Sequence, residues 1–225
     1  MNFKDLLSQG YLIEAIVNYL ALLGWRPSDN SIINSLDELI KKFNIKHLST
    51  SPSIFDYSKL DCINSKYIKK MHIDSFIDKM NELIELKQYK LKEKEIALIL
   101  QTRINKFNEI PKKIDFLFNY PNISKNFVKE LFIHKKRKVD LSLSLKILKD
   151  IYLFIENNEI NKIEDYINES NMKRGTIMWP IRNALSGLPT SVGKVYELLN
   201  ILNKEKALKR INYCIDLLEK INRKE

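Results

Sequence analysis

The residues that could do chemistry fall into three groups: a glycine–lysine loop, scattered histidines and cysteines, and clustered cations. "GLPTSVGKV", Gly187 to Val195, comes near the G-x-x-x-x-G-K pattern with which a loop wraps phosphates, but five residues, one too many, separate Gly187 from Gly193. Its next position is Val195, where a Ser or Thr hydroxyl would hold Mg²⁺, and the preceding "PIRNALS" reads as helix where a strand is required. The loop therefore reads as a turn. His47, His72 and His134 are far apart, and none pairs recognisably with a nucleophile or carboxylate. Cys62 and Cys214 lack C-x-x-C spacing and a nearby His cluster, so neither a zinc site nor a disulfide framework is expected. Both read as small core residues. Only five glycines occur and none forms G-x-G-x-x-G. Covalent chemistry by this chain alone is not expected.

The cations carry the remaining signal. The 225 residues hold 38 Lys and Arg against 28 Asp and Glu, a net charge of +10. Residues 1–100 contribute 14 basic and 13 acidic side chains, and residues 101–225 contribute 24 and 15. A positive field concentrated in one half suits a polyanion, although charge that serves solubility alone gives the same count. "HKKRK", His134 to Lys138, is either a solvated turn or a phosphate-contacting patch, since clustered cations gain from counterion release. Lys206, Arg210 and Tyr213 follow i, i+4, i+7 and share one helical face.

The elements that would position these residues are helices. "GYLIEAIVNYLALLGW", Gly10 to Trp25, is shorter than a bilayer span and is interrupted by Glu14 and Asn18. Asp5 and the lack of a small-residue cleavage pattern argue against a secretion signal. The run reads as a helix buried by several neighbours, with Glu14 and Asn18 on its one polar face, Gly24 ending it and Pro27 blocking its continuation. Ile73, Phe76, Ile77, Met80, Leu83 and Ile84 form an i, i+3, i+4 stripe. So do Leu141, Leu145, Leu148, Tyr152 and Ile155, and, near the end, Leu208, Ile211, Ile215 and Leu218. Pro180 reads as the first turn of a helix whose buried side is Ile181, Ala184, Leu185 and Leu188, with Arg182 and Ser186 on another face and Gly187 closing it. The fold class is all-α, with about ten helices of moderate length.

Four stretches resemble one family, the bacterial-type glutamate–tRNA ligases. Pro180, Ile181, Arg182, Ala184, Leu185, Ser186 and Gly187 are similar to its Pro-Leu-Arg-x-Ala-Leu-Thr-Gly box, and Lys204, Glu205, Lys206, Arg210 and Ile211 to the helix pair that follows. The Gly10–Trp25 run resembles a family segment that has Pro where Ile13 stands. "SPSIFDYSKLDCINSKYI", Ser51 to Ile68, resembles a third, with Cys62 near a position often aromatic. "LQTRINKFNEI", Leu100 to Ile110, resembles a segment where an arginine precedes a short helix. Ser186 replaces Thr, Asn203 replaces the Gly before Lys204, and no Pro follows Ser191.

The resemblance implies a stem-contact helical region at 1–88, then two anticodon-binding subdomains at 89–147 and 148–225. It implies tRNA contacts at Arg103, Arg182, Ser186, Lys206 and Arg210, where guanidinium planes read unpaired bases and Lys holds phosphates. Arg103 can equally lie over the Ile96–Leu100–Phe107 stripe, and Trp179 can stack on a base or sit in the core. The partners implied are tRNA-Glu, with tRNA-Gln left open, and a catalytic half in cis or in trans; neither DNA nor a membrane is implied. The family's His-Ile-Gly-His and Lys-x-Ser-Lys motifs are missing, so ATP and Mg²⁺ are expected only with that half, and the setting is the cytoplasm. Some apolar surface of the first helices is then expected to be bare. The competing reading is a helical protein-interaction module that docks to a synthetase without holding RNA.

Overall fold

The computed structural model describes residues 2–50 and 53–222. Ser51 and Pro52, which open one of the family-like stretches, lie outside the described residues. Thirteen α-helices and four short 3-10 turns form among the described residues, with two isolated β-bridges and no sheet. The chain divides into two compact units, Met1–Lys112 and Lys113–Glu225. The divisions expected after residues 88 and 147 fall inside the 3-10 turn Lys87–Lys92 and inside the helix Leu141–Glu156.

The first unit contains α1 (Phe3–Ser8), α2 (Ile13–Gly24), α3 (Leu36–Lys42), α4 (Tyr57–Lys70), α5 (Ile73–Asn81) and α6 (Glu93–Gln101), and α7 (Ile110–Phe118) carries the boundary. Ala15, Ile16 and Tyr19 of α2 are fully buried, as a helix with several neighbours requires. The polar face expected there is split: Glu14 is exposed while Asn18 is buried. Asn18 donates to the Ile32 carbonyl at 2.7 Å and accepts from the Asn34 amide at 3.2 Å, pinning the loop that enters α3. Asn64 of α4 accepts from the Leu12 amide at 2.9 Å, and Gln101 of α6 donates to the Ile68 and Met71 carbonyls at the end of α4. Buried side-chain amides thus satisfy backbone groups at the helix ends. Helix α5 stops at Asn81, short of Leu83 and Ile84, because Leu86 and Tyr89 are buried and draw the chain into the next turn. Cys62 is exposed, contrary to its reading as a core residue; Cys214 is buried.

The second unit holds α8 (Lys125–Phe132), α9 (Leu141–Glu156), α10 (Lys162–Glu169), α11 (Arg174–Ser186), α12 (Val195–Ile201) and α13 (Lys204–Asn222). Helix α9 buries Leu141, Ser144, Ile147, Leu148, Ile151 and Ile155. Its core stripe is therefore rotated toward Ser144 and Ile151 from the one read through Leu145 and Tyr152. Ser144 can lie in the core because its hydroxyl donates to the Phe132 carbonyl at 2.9 Å. Helix α11 begins six residues before Pro180, so the proline is interior and not a first-turn residue. It cannot donate to the Thr176 carbonyl, a loss carried by the packing of Ile177, Ile181, Ala184 and Leu185, all fully buried.

Gly187 closes α11 as expected, with φ +68°. A Cβ there would lie 2.5 Å from Cγ of Pro121 and 3.1 Å from Cε2 of Tyr120. Gly187→Ala therefore combines left-handed strain with a collision against a rigid ring. It is expected to destabilise this unit by roughly 2–4 kcal/mol, read from urea denaturation.

Candidate nucleic-acid interface

The second unit carries a pocket of about 280 Å³ where the first turns of α11 meet the start of α12. Arg137, Arg174, Arg182 and Lys194 line it together with Trp179 and Tyr196. Arg174 grips Glu164 through both guanidinium nitrogens, and the same carboxylate accepts from the Tyr196 hydroxyl at 2.7 Å. These partners hold the Glu164 carboxyl at about 2 and push the Tyr196 phenol up to about 12, burial being the phenol's largest cause. Glu164 is thus committed to Arg174 at neutral pH.

The other two arginines meet no carboxylate among the described residues. Arg182 is half-buried and donates to the Pro189 carbonyl at 2.9 Å and to the Asn183 side-chain oxygen at 3.3 Å. Burial, and then the neighbouring charge of Arg137, push its pKa down. Arg137 lies on the 3-10 turn Lys135–Arg137, inside the "HKKRK" run, which is closed by the His134–Val139 bridge. Trp179 is 8% exposed and meets His134 edge-on at 5.2 Å, so it is a largely buried wall of the pocket. Two guanidinium groups without counter-ions, walled by aromatic rings, can take a phosphate or the edge of an unpaired base.

The five residues singled out from sequence do not gather at one place. Arg182 lines the pocket. Ser186 is fully buried and donates to the Arg182 carbonyl at 2.9 Å while accepting from the Leu188 amide, so it secures the end of α11 and presents no face to a ligand. Arg210 is 7% exposed and donates to the carbonyls of Leu185, Phe116 and Leu117, with Tyr120 4.7 Å below its plane. A cation so enclosed is structural, which corrects its reading as an RNA contact. The shared face read for Lys206, Arg210 and Tyr213 fails because Arg210 points inward, while Lys206 and Tyr213 remain half-exposed. Arg103 belongs to the first unit, where it donates to the Ile99 carbonyl at 3.0 Å beside the end of α6. The sequence reading missed the pairing of Arg137 with Arg182. Its one available sign was the cluster Lys135–Lys138. The Gly187–Lys194 loop joins two helices, with Val195 opening α12, and has no strand before it.

The first unit bears a different surface. Leu36, Ile40 and Phe43 follow i, i+4, i+7 along α3 and are 60%, 66% and 55% exposed, while Leu39 faces the core. Ile32, Ile45 and Leu48, flanking the helix, are exposed as well. No helix among the described residues is long and apolar enough to cross a membrane. No cluster of His, Cys, Asp and Glu among them could hold a metal ion.

Comparison with known proteins places these features in context. The family described as the anticodon binding domain matches residues 56–215, and the catalytic domain of class I tRNA synthetases (E and Q) matches residues 1–62. Glutamate–tRNA ligase of Clostridium acetobutylicum is 36% identical over 97% of this chain and 46% of its own length. That of Lachnoclostridium phytofermentans is 39% identical over 96% of this chain and 45% of its own. The chain thus spans a little under half the length of these relatives. A crystal structure of a glutamate tRNA ligase from Elizabethkingia meningosepticum, in complex with its amino acid, superposes with a TM-score of 0.72 at 24% identity, covering 94% of this chain and 42% of that one.

Proposed function

Since the chain belongs to the anticodon binding domain family, we propose that it holds tRNA-Glu by the anticodon loop, in the service of a glutamate–tRNA ligase. The observation that carries this reading is the pair of uncompensated guanidinium groups, Arg137 and Arg182, in an aromatic-walled pocket. Unpaired loop bases offer hydrogen-bonding edges and faces to such a site, and the backbone offers phosphates. Binding of a tRNA-Glu transcript, compared with an anticodon-swapped transcript across a salt series, tests it. Affinity is expected to fall steeply with salt and to drop on the swap. A chain that ignores both transcripts in dilute buffer refutes the reading. Whether tRNA-Gln is also held is answered by the same assay.

The reading places amino-acid activation, with ATP and Mg²⁺, in a catalytic half that works with this chain in the cytoplasm. The match of residues 1–62 to a class I catalytic domain supports docking of that half on the first unit, and the apolar stripe of α3 offers it a surface. Leu36→Glu with Ile40→Glu is expected to abolish co-elution with a class I glutamate-type catalytic domain supplied as a separate chain. Both positions are exposed, so the thermal midpoint should stay within a degree or two of wild type. Undiminished co-elution would remove α3 from that interface.

A further inference from the structure

A glycine explains how the "HKKRK" turn reaches the pocket. Gly175 lies in the first turn of α11, with its hydrogen facing Nη1 of Arg137; a Cβ there would collide with that nitrogen. The same turn is tied to the helix by the Thr176 hydroxyl, which donates to the Arg137 carbonyl at 3.1 Å. Arg137 therefore has its backbone fixed against α11 and its guanidinium laid over the one position where the helix has no side chain. From there it raises the positive potential at Arg182. The nearby carboxylate, Glu164, is already held by Arg174 and Tyr196.

On the reading of the chain as a tRNA binder, we propose that Arg137 and Arg182 form a clamp of two guanidinium groups for one phosphodiester of the bound loop, and that Gly175 admits Arg137 to it. Two like charges left uncompensated in the lining of one cavity repel each other until an anion joins them there. A phosphodiester carries one negative charge and two free oxygens, one for each guanidinium fork. A neutral base edge could engage Arg182 but would leave Arg137 uncompensated. Lys135, Lys136 and Lys138 extend the positive surface along the same turn, so the flanking phosphates also meet cations.

The clamp separates folding from binding in a way few positions allow. Gly175→Ala replaces a helical glycine whose only collision is with the far end of a flexible side chain. Its thermal midpoint is expected to equal or exceed that of wild type. Its affinity for a tRNA-Glu transcript should nonetheless fall about tenfold, as for Arg137→Ala. The double variant should be no weaker than either single one, because both remove the same group from the same place. Against anticodon stem-loops carrying one neutral methylphosphonate linkage, wild type should lose affinity most at a single loop position, and Arg137→Ala should be blind to that position. Wild-type affinity in both single variants, or equal sensitivity to every linkage in the Arg137→Ala variant, overturns the clamp. Failure of wild type to bind the transcript at all is a different outcome and overturns the tRNA reading itself.

Discussion

Replacing Arg210 with methionine should lower the stability of the second unit by about 3–5 kcal/mol, one of the largest effects expected of any single substitution in this chain. The side chain is 7% exposed and satisfies carbonyls from two helices: Leu185 near the end of α11, and Phe116 and Leu117 near the end of α7. The last four carbonyls of a helix have no partner within it, and both helix ends carry partial negative charge. A guanidinium fork meets several of them at once. Methionine fills similar volume but leaves the carbonyls buried without donors, each costing on the order of 1–3 kcal/mol. Arg210→Lys should recover only part of the loss, because one ammonium cannot reach acceptors spread across the fork. For a unit of this size the methionine variant should melt more than 10 °C lower, followed by circular dichroism. Below its midpoint, Arg210→Lys should bind tRNA with an unchanged salt dependence, as befits a cation turned inward onto backbone carbonyls. An unaltered midpoint would show that the carbonyls find other donors.

Arg210 also marks the limit of what the residue pattern discloses. The spacing of Lys206, Arg210 and Tyr213 is real, yet helical periodicity says which residues share a face and not whether that face meets water or three carbonyls. A positive residue on an otherwise apolar stripe beside Ala207, Ile211 and Cys214 was the available sign of an inward cation. Helix class and most helix positions were legible because apolar residues recur at i, i+3 and i+4, and Gly187 was legible as a stop because only glycine enters the left-handed region without strain. The start of α11 was not. A proline usually marks a first turn, and what overrides that here is the burial of Thr176 and Ile177 one turn before Pro180, a tertiary effect invisible to local propensity. Arg182 was singled out through its family-like box, whereas Arg137, 45 positions away, joins it only because the turn at Lys135–Arg137 is hydrogen-bonded onto α11.

That juxtaposition makes Arg182 the position where substitution should hurt tRNA binding most. Arg182→Ala is expected to cost about 2–3 kcal/mol of binding, roughly 30- to 150-fold. Arg182→Lys should cost about tenfold although the charge is kept. The difference lies in geometry. The guanidinium is aimed by its bond to the Pro189 carbonyl and stays planar beside Asn183, so its remaining donors present a fixed edge. An ammonium offers a point charge whose direction follows its solvent. The two variants should therefore separate in a salt series: Arg182→Ala lowers the slope of log affinity against log salt by about one, while Arg182→Lys shifts the line without changing its slope. Each loses the bond to Pro189, about 1 kcal/mol of stability at a half-buried site, so both should remain folded at 25 °C. Should Arg182→Lys bind as wild type does while Arg182→Ala does not, Arg182 acts through its charge alone and the geometry of its guanidinium fork is not what the bound loop requires. Should neither variant differ from wild type, the pocket is not where the loop is held.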